Sequence, residues 1–425
     1  MTGLGALLAL AVAAPAPLRS YAVVVGNNRG LDPANAPLRY ADDDAVRYAE
    51  LLAPGVAGLR LLTVLDRDTQ AQHPDLALQA VPPTRAALLQ ALSEIDRALA
   101  EDAAQGRRTQ LFFVFVGHGG IGPGGEGYVS LLDSRFTRAD LFREVVARSP
   151  ATFNHLVVDA CDSYYLVSSR GSGAADERGP DRSEALRRYL SDEELDAHPN
   201  TGAIVSTSGD RESHEWSVYQ GGIFTHALVS ALLGAGDVNG DGIVDYSEVA
   251  AFLQAASAAV ADPAARLEVF VRPPSQALSI PLWRLAFFPR FARLGPDAEG
   301  PFHLEAPDGS RAADFDKPRG STLVLGLSER RGRYRLAQAD READLPEGPL
   351  VADPGQWRDA PVAARADLAG PLERGLFRVP FGAPFYEGFV AAGRRFVPVA
   401  MDAPPFVASF PSAPPELPLK DPFSP

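Results

Sequence analysis

The chain reads as an α/β protein: a mainly parallel sheet sandwiched by helices, followed by a small all-β C-terminal domain. Three observations predict this. Strand-length apolar runs alternate with amphipathic helical stretches from residue 20 to about 290, the pattern of strands joined by helical crossovers. Two of those runs, Leu111-Phe-Phe-Val-Phe-Val116 and the Leu-Val-Val between His155 and Asp159, are apolar throughout, as strands covered on both faces must be. Near Phe287 the alternation stops, and short runs separated by Gly, Pro and Asp take over.

Tyr21-Ala-Val-Val-Val25 is the first strand, closed by Gly26-Asn-Asn-Arg-Gly30. Asp42 to Leu52 gives a helix whose apolar face holds Val46, Ala49, Leu51 and Leu52. Leu59 to Leu65 is the second strand. Pro83-Thr84 opens a helix running to Leu99, with Leu88, Leu89, Leu92 and Ile95 on one side. The run ending in Gly117-His118-Gly119-Gly120 follows. Gly122-Pro-Gly-Gly125 comes next, and it lacks both a Gly-Lys-Ser/Thr ending and a GxGxxG spacing, so it is a loop at the rim of a site and not a phosphate cradle. A helix from Thr137 to Ala147 precedes the run that ends in Asp159-Ala160-Cys161. The small and charged residues between Ser168 and Ser183 form an exposed loop. Gly202 to Ser206 is a strand; Thr225 to Leu233 and Tyr246 to Ala258 are helices. Residues 295–400, with Ser321 to Leu327 and Arg333 to Leu336, form the β-rich domain, and 401–425 is a Pro-rich tail without periodicity.

At 425 residues, with 46% hydrophobic and 22% charged residues, the chain has the make-up of an ordinary globular protein of two or three domains. A formal charge of −14 excludes nucleic acid as a natural partner, since little here would neutralise phosphates, while the acidic field favours basic substrates. No apolar run after the first twenty residues spans a bilayer, so stable membrane insertion is not expected. Leu4 to Ala13 is a short apolar leader and Ala11-Val12-Ala13 fits a signal-peptidase site, so residues 1–13 are read as a signal peptide for periplasmic or extracellular export. Met1-Thr-Gly lacks the usual basic residues, which keeps a cytoplasmic protein as the alternative.

Cys161 is the single cysteine, and it ends one strand as His118 ends another. Sites in open α/β sheets gather at carboxyl ends of strands. A lone Cys with a His upstream in this arrangement fits a cysteine nucleophile and its base, which makes acyl transfer the natural reaction class. The bare backbone of Gly119 suits an oxyanion donor, with the Cys161 amide as a second. Separately, Asp237-Val-Asn239-Gly-Asp241-Gly242-Ile243-Val-Asp245-Tyr-Ser-Glu248 matches an EF-hand loop. Side-chain oxygens fall at positions 1, 3, 5 and 9, the Ile243 carbonyl at 7, and a bidentate Glu at 12. The loop is expected to bind Ca2+ and to hold the helix that follows; as a single loop, it points to a structural or gating role over sensing.

The Gly-His118-Gly and Asp-Ala-Cys161 signatures resemble those of caspase-like cysteine peptidases, and among them the bacterial metacaspase-like group. The resemblance extends over roughly residues 20–285 and takes in Gly26-Asn-Asn, Leu38-Arg-Tyr-Ala-Asp-Asp-Asp44-Ala and Gly222-Ile-Phe-Thr225. It implies a caspase-like α/β sandwich with His118 and Cys161 as the dyad. In metacaspases the primary pocket is acidic and takes Arg or Lys; in true caspases it is basic and takes Asp. The matching positions here hold Asp44 and Asp159, with Asp210 as a third candidate, so the expected substrate is a protein or peptide with basic residues. Asp159 as a strand-end brace and Asp44 as an ordinary helix-start carboxylate are the alternatives. Tyr164 stands where the group has Gly. Two rival functions are a catalytically silent, calcium-stabilised scaffold whose β-domain recruits a partner, and a different cysteine hydrolase such as an amidase.

Overall fold

A computed structural model describes residues 18–31, 36–122, 126–160, 193–206, 215–262, 266–330, 332–360, 374–393 and 396–408. The strands β1 (Arg19–Asn27), β2 (Val56–Leu62), β3 (Thr109–Gly117), β7 (Phe153–Ala160), β8 (Thr201–Ser206) and β12 (Val269–Arg272) form one six-stranded sheet. Its order is β12-β8-β7-β3-β1-β2, parallel throughout except for β12 at one edge.

The apolar runs of β1, β3 and β7 follow from covering on both faces. Ala22, Val24, Phe112, Val114, Val116 and Val157 face one core cluster, while Val23, Val25, Leu111, Phe113, Phe115, Leu156 and Val158 face another. Successive side chains of a strand point to opposite faces, so each strand serves two cores at once. The first face receives α1 (Ala41–Leu52), α3 (Ile223–Ser230) and α4 (Tyr246–Ala258); the second receives α2 (Arg85–Ala104), whose start is capped by the Thr84 hydroxyl accepting from the Ala87 amide. The second strand differs from its expected span, starting at Val56 and ending at Leu62. Past Leu62 the chain leaves the sheet, and Val64 is 54% exposed.

A polar chain crosses the first core. The Gln110 amide donates to Ser20 (2.8 Å), His155 Nε2 meets the Gln110 carbonyl oxygen (3.2 Å), and His155 Nδ1 meets the Tyr246 hydroxyl (2.7 Å). Burial holds the His155 pKa down at about 3, so the ring is neutral. One nitrogen donates to Gln110 and the other accepts from Tyr246, which satisfies the whole chain.

Above the carboxyl end of β3 sits a small antiparallel sheet of β4 (Gly119–Ile121), β5 (Gly127–Ser130) and β6 (Arg135–Thr137). A hairpin of β9 (Glu215–Trp216) and β10 (Gly221–Gly222) leads into α3. β11 (Ile243–Asp245) pairs with β13 (Pro281–Arg284). Beyond it, β14 (Arg290–Leu294), β15 (Gly300–Glu305), β16 (Arg311–Lys317), β17 (Leu323–Leu327), β18 (Arg335–Ala337) and β19 (Arg341–Asp344) build two further sheets. Their buried residues, among them Leu304, Phe315 and Leu325, belong to the same core cluster as Ala22 and Phe112. Within the stretch read as all-β lies a helix, α5 (Ala383–Ala392). The stretch from Ala408 back to Phe396 packs part of its length, Phe406 included, on the α/β core.

Candidate active site

The parallel pairing of β3 with β7 puts Gly117 opposite Ala160 and Val116 opposite Asp159. His118 and Cys161 are each the next residue in sequence after that terminal pair. Cys161 and Asp210 lie outside the described residues, as does the loop between Ser168 and Ser183. His118 is 8% exposed, and among the described residues its Nε2 has no hydrogen-bond partner. Burial pulls its pKa below the ordinary imidazole value, against the opposing pull of the Glu215 charge and of main-chain hydrogen bonds to Ala36 and Asn28. A neutral imidazole with a free nitrogen is the state that accepts a thiol proton. Gly119 follows directly as the half-buried first residue of β4.

Asp44 and Asp159 converge on the start of α3. The Gly222 amide donates to Asp44 Oδ2 at 2.7 Å, and the Thr225 hydroxyl donates to Asp159 Oδ2 at 2.9 Å. A Cβ on Gly222 would stand 3.1 Å from Asp44 Oδ2 and 3.2 Å from Asp159 Oδ2. The bare backbone at Gly222 lets both carboxylates approach this turn of chain closely. Burial is the main influence on both acids: it pushes Asp159 up to about 6 and Asp44 well above the usual carboxylate range. Arg47 opposes this at Asp44 from 3.5 Å while also donating to the Tyr219 carbonyl.

Glu215 has no place in the expected site, yet it belongs to the same cluster. It accepts from the amides of Arg39 (3.0 Å) and Tyr40 (2.9 Å), and its charge acts on both His118 and Asp159. Thr225 stands in the quoted Gly222-Ile-Phe-Thr225 segment, but nothing in its spacing marks it as a partner of Asp159. Asp44, Asp159 and Glu215 together form an acidic cluster, called the recess below, on the side of the sheet end that carries His118. Such a recess favours a group that brings positive charge and two or more N–H donors, because only then are both carboxylates paid back for lost water.

The loop from Asp237 to Glu248 lies apart from this recess. Gly240 (φ 73°) and Gly242 (φ 78°) make its turns in the left-handed region. Asp237 accepts from the amides of Gly240, Asp241 and Gly242 (2.8, 3.2 and 2.8 Å), and Asp241 accepts from the Ile243 amide (2.8 Å). Asn239 accepts from the Asp241 amide at 3.1 Å. Asp245 caps α4 through Ser247 and Glu248. Among the described residues no three His, Cys, Asp or Glu side chains converge as a ready ion site; Glu248 is instead turned onto the amides of Val238 and Asp245 (both 3.0 Å). The donor chemistry does fit a hard cation, being all oxygen. Burial raises Asp237 to about 7 and Glu248 well above its usual range, and the neighbouring Asp245 and Asp237 carboxylates push Glu248 further.

The family described as Caspase domain matches residues 19–269, more than half of the chain. Among solved structures, caspase-1 from Spodoptera frugiperda is 12% identical over 60% of this chain and 87% of its own, with a TM-score of 0.34. A pro-sf-caspase-1 structure is 14% identical over 55% and 76%, with a TM-score of 0.33. A structural-genomics target from Geobacter sulfurreducens is 16% identical over 63% and 98%, with a TM-score of 0.35. No curated protein matches the chain.

Proposed function

We propose that this chain, which belongs to the caspase-domain family and so to a fold of cysteine peptidases, is an endopeptidase of metacaspase type that cuts after Arg or Lys. The observation supporting this most directly is the convergence of Asp44, through the Gly222 amide, and Asp159, through the Thr225 hydroxyl, on the start of α3, next to the strand end that presents His118. A guanidinium entering the recess pairs with two carboxylates that burial otherwise holds toward their neutral forms. An aspartate side chain would bring a further acid and no N–H donor to either carboxyl.

In the proposed reaction His118 Nε2 takes the Cys161 thiol proton, and the thiolate sulfur bonds to the scissile carbonyl carbon. The carbonyl oxygen becomes an oxyanion that the Gly119 amide stabilises. As the C–N bond breaks, the leaving amine takes the proton from His118. Water, deprotonated by the same imidazole, then releases the acyl group and restores the thiol. Calcium at Asp237, Asn239, Asp241, the Ile243 carbonyl, Asp245 and Glu248 would supply charge neutralisation. The residues themselves would hold the first turn of α4. The leader over residues 1–13 is proposed to direct export. Among the described residues no helix is long and apolar enough to cross a membrane.

The test is cleavage of a peptide library by the wild-type chain and by Cys161→Ala. Wild type should favour Arg or Lys before the cut, and the variant should be inactive. Undiminished turnover in Cys161→Ala, or faster cutting after Asp than after Arg, rejects the reading.

A further inference from the structure

The helix that presents Thr225 and Gly222 to the pocket carboxylates is gripped from its far side by the C-terminal β-sheet. The residue after Thr225 is His226, 1% exposed, and its Nε2 lies 2.8 Å from Asp314 Oδ2 on β16. Asp314 holds the helix at a second point: its amide donates to Ser230 Oγ (3.0 Å), which donates to the His226 carbonyl (2.7 Å). The other carboxylate oxygen of Asp314 accepts from Arg311 at 2.7 Å. Around the imidazole, Tyr219 stacks at 3.8 Å and 11°, and Phe377 meets it edge-on at 5.8 Å.

Burial pulls His226 down to about 4; at Asp314 burial is outweighed by Arg311 and His226, which hold the carboxyl below its usual range. A neutral imidazole therefore donates one hydrogen bond to a fixed carboxylate. That contact is directional, and it places no extra positive charge behind the acidic recess. The ring also steadies Tyr219, whose carbonyl holds Arg47, the partner of Asp44. Both carboxylates of the recess thus trace back to one side chain of the β-sheet.

We propose that Asp314 is a positioning residue for specificity: through His226 it fixes the start of α3, and so sets the spacing of Asp44 and Asp159 for a basic side chain. The inference rests on reading those two acids as the receptor of such a side chain. Misplacement by about 1 Å costs on the order of 100-fold in a reacting geometry; a loosened recess should lose part of that in binding.

The test uses the full chain with Asp314→Asn, His226→Leu and His226→Gln, each checked for cooperative unfolding. Gln at 226 keeps an N–H donor for Asp314, and Leu does not. Benzamidine binding is read by calorimetry, and KM and kcat on an Arg-ended peptide. Asp314→Asn and His226→Leu should weaken benzamidine and raise KM together by about tenfold, leave kcat within about twofold, and His226→Gln should recover most of the loss. If Asp314→Asn does not fold, the Leu and Gln pair decides alone. Folded variants that bind benzamidine as the wild type does overturn the inference, as do Leu and Gln variants that are equally impaired. Wild type that binds benzamidine but cuts no peptide ends the peptidase reading and leaves the inference to the binding data. Wild type that binds none removes the receptor, and the inference with it.

Discussion

Three acids in a row open α1, and only one of them reaches the recess. Asp42 accepts from Asn28 (2.6 Å) and from the Asp66 amide (2.9 Å), and Asp43 accepts from Thr69 (2.7 Å), which leaves Asp44 for Gly222. Local partners, not helix periodicity, decide the assignment. Asp159 carries a pH prediction. Its folded pKa of about 6 lies above the ordinary carboxylate value because burial disfavours the charge. The protonated form is thus favoured in the folded state, and the stability this gives is lost as pH rises through about 6. Guanidinium binding needs the ionised form, so KM for an Arg-ended peptide should rise as pH falls through about 6. Asp159→Asn should raise KM at neutral pH by about 10- to 100-fold, the worth of a charged hydrogen bond, and flatten that rise; a variant with the wild-type KM profile contradicts the role. The placement of Asp44, Asp159 and His118 was legible because each sits beside a strand end or helix start visible in the chain. Glu215 was not: its bonds to Arg39 and Tyr40 bridge more than 170 positions, and they exist only once the β9–β10 hairpin folds back.

Helix α4 begins at Tyr246 and ends at Ala258, as the spacing predicts. Both signals lie close in sequence: Asp245 and Glu248 form a reciprocal cap, and the loop before them fixes the turn. The second strand shows the opposite case. Leu59 to Leu65 looks continuous, but pairing with β1 begins at Val56 and ends at Leu62, and an edge strand's limits are set by its neighbour. At the same scale stands the calcium prediction. A cation bound by the native state alone stabilises it by roughly 2.7 kcal/mol at about a hundredfold excess over Kd. Asp237→Ala combined with Glu248→Gln should abolish a calcium-dependent rise in melting temperature. Calorimetry that detects no calcium binding to the wild type at millimolar concentration refutes the loop's assignment.

Across the whole molecule, the end of the described chain closes over the loop at its middle. The Val399 amide donates to Tyr386 Oη (2.9 Å), Tyr386 bonds Ser247 (2.7 Å), and Ser247 donates to Asp245 (2.7 Å). Since Ser247 spends its proton on Asp245, the Tyr386 hydroxyl must donate to Ser247, and the chain has one direction. Tyr386 is 1% exposed. Tyr386→Phe should therefore cost about 1–3 kcal/mol in denaturant unfolding; a loss below a few tenths would show that the contact is dispensable. None of this was legible, because the chain from Phe396 to Ala408 has no periodicity to read and its contacts reach back more than a hundred residues to the loop. The Phe406 ring fills the space over Gly242, where a Cβ would approach within 2.3 Å, and its amide donates to the Gly240 carbonyl at 2.6 Å. In a chain emerging from the ribosome, the α/β sheet is finished well over a hundred residues before Phe406 appears. For that interval the loop has its strands and its glycine turns but no cover. Any ion would exchange freely with solvent until Phe406 arrived to shut it in.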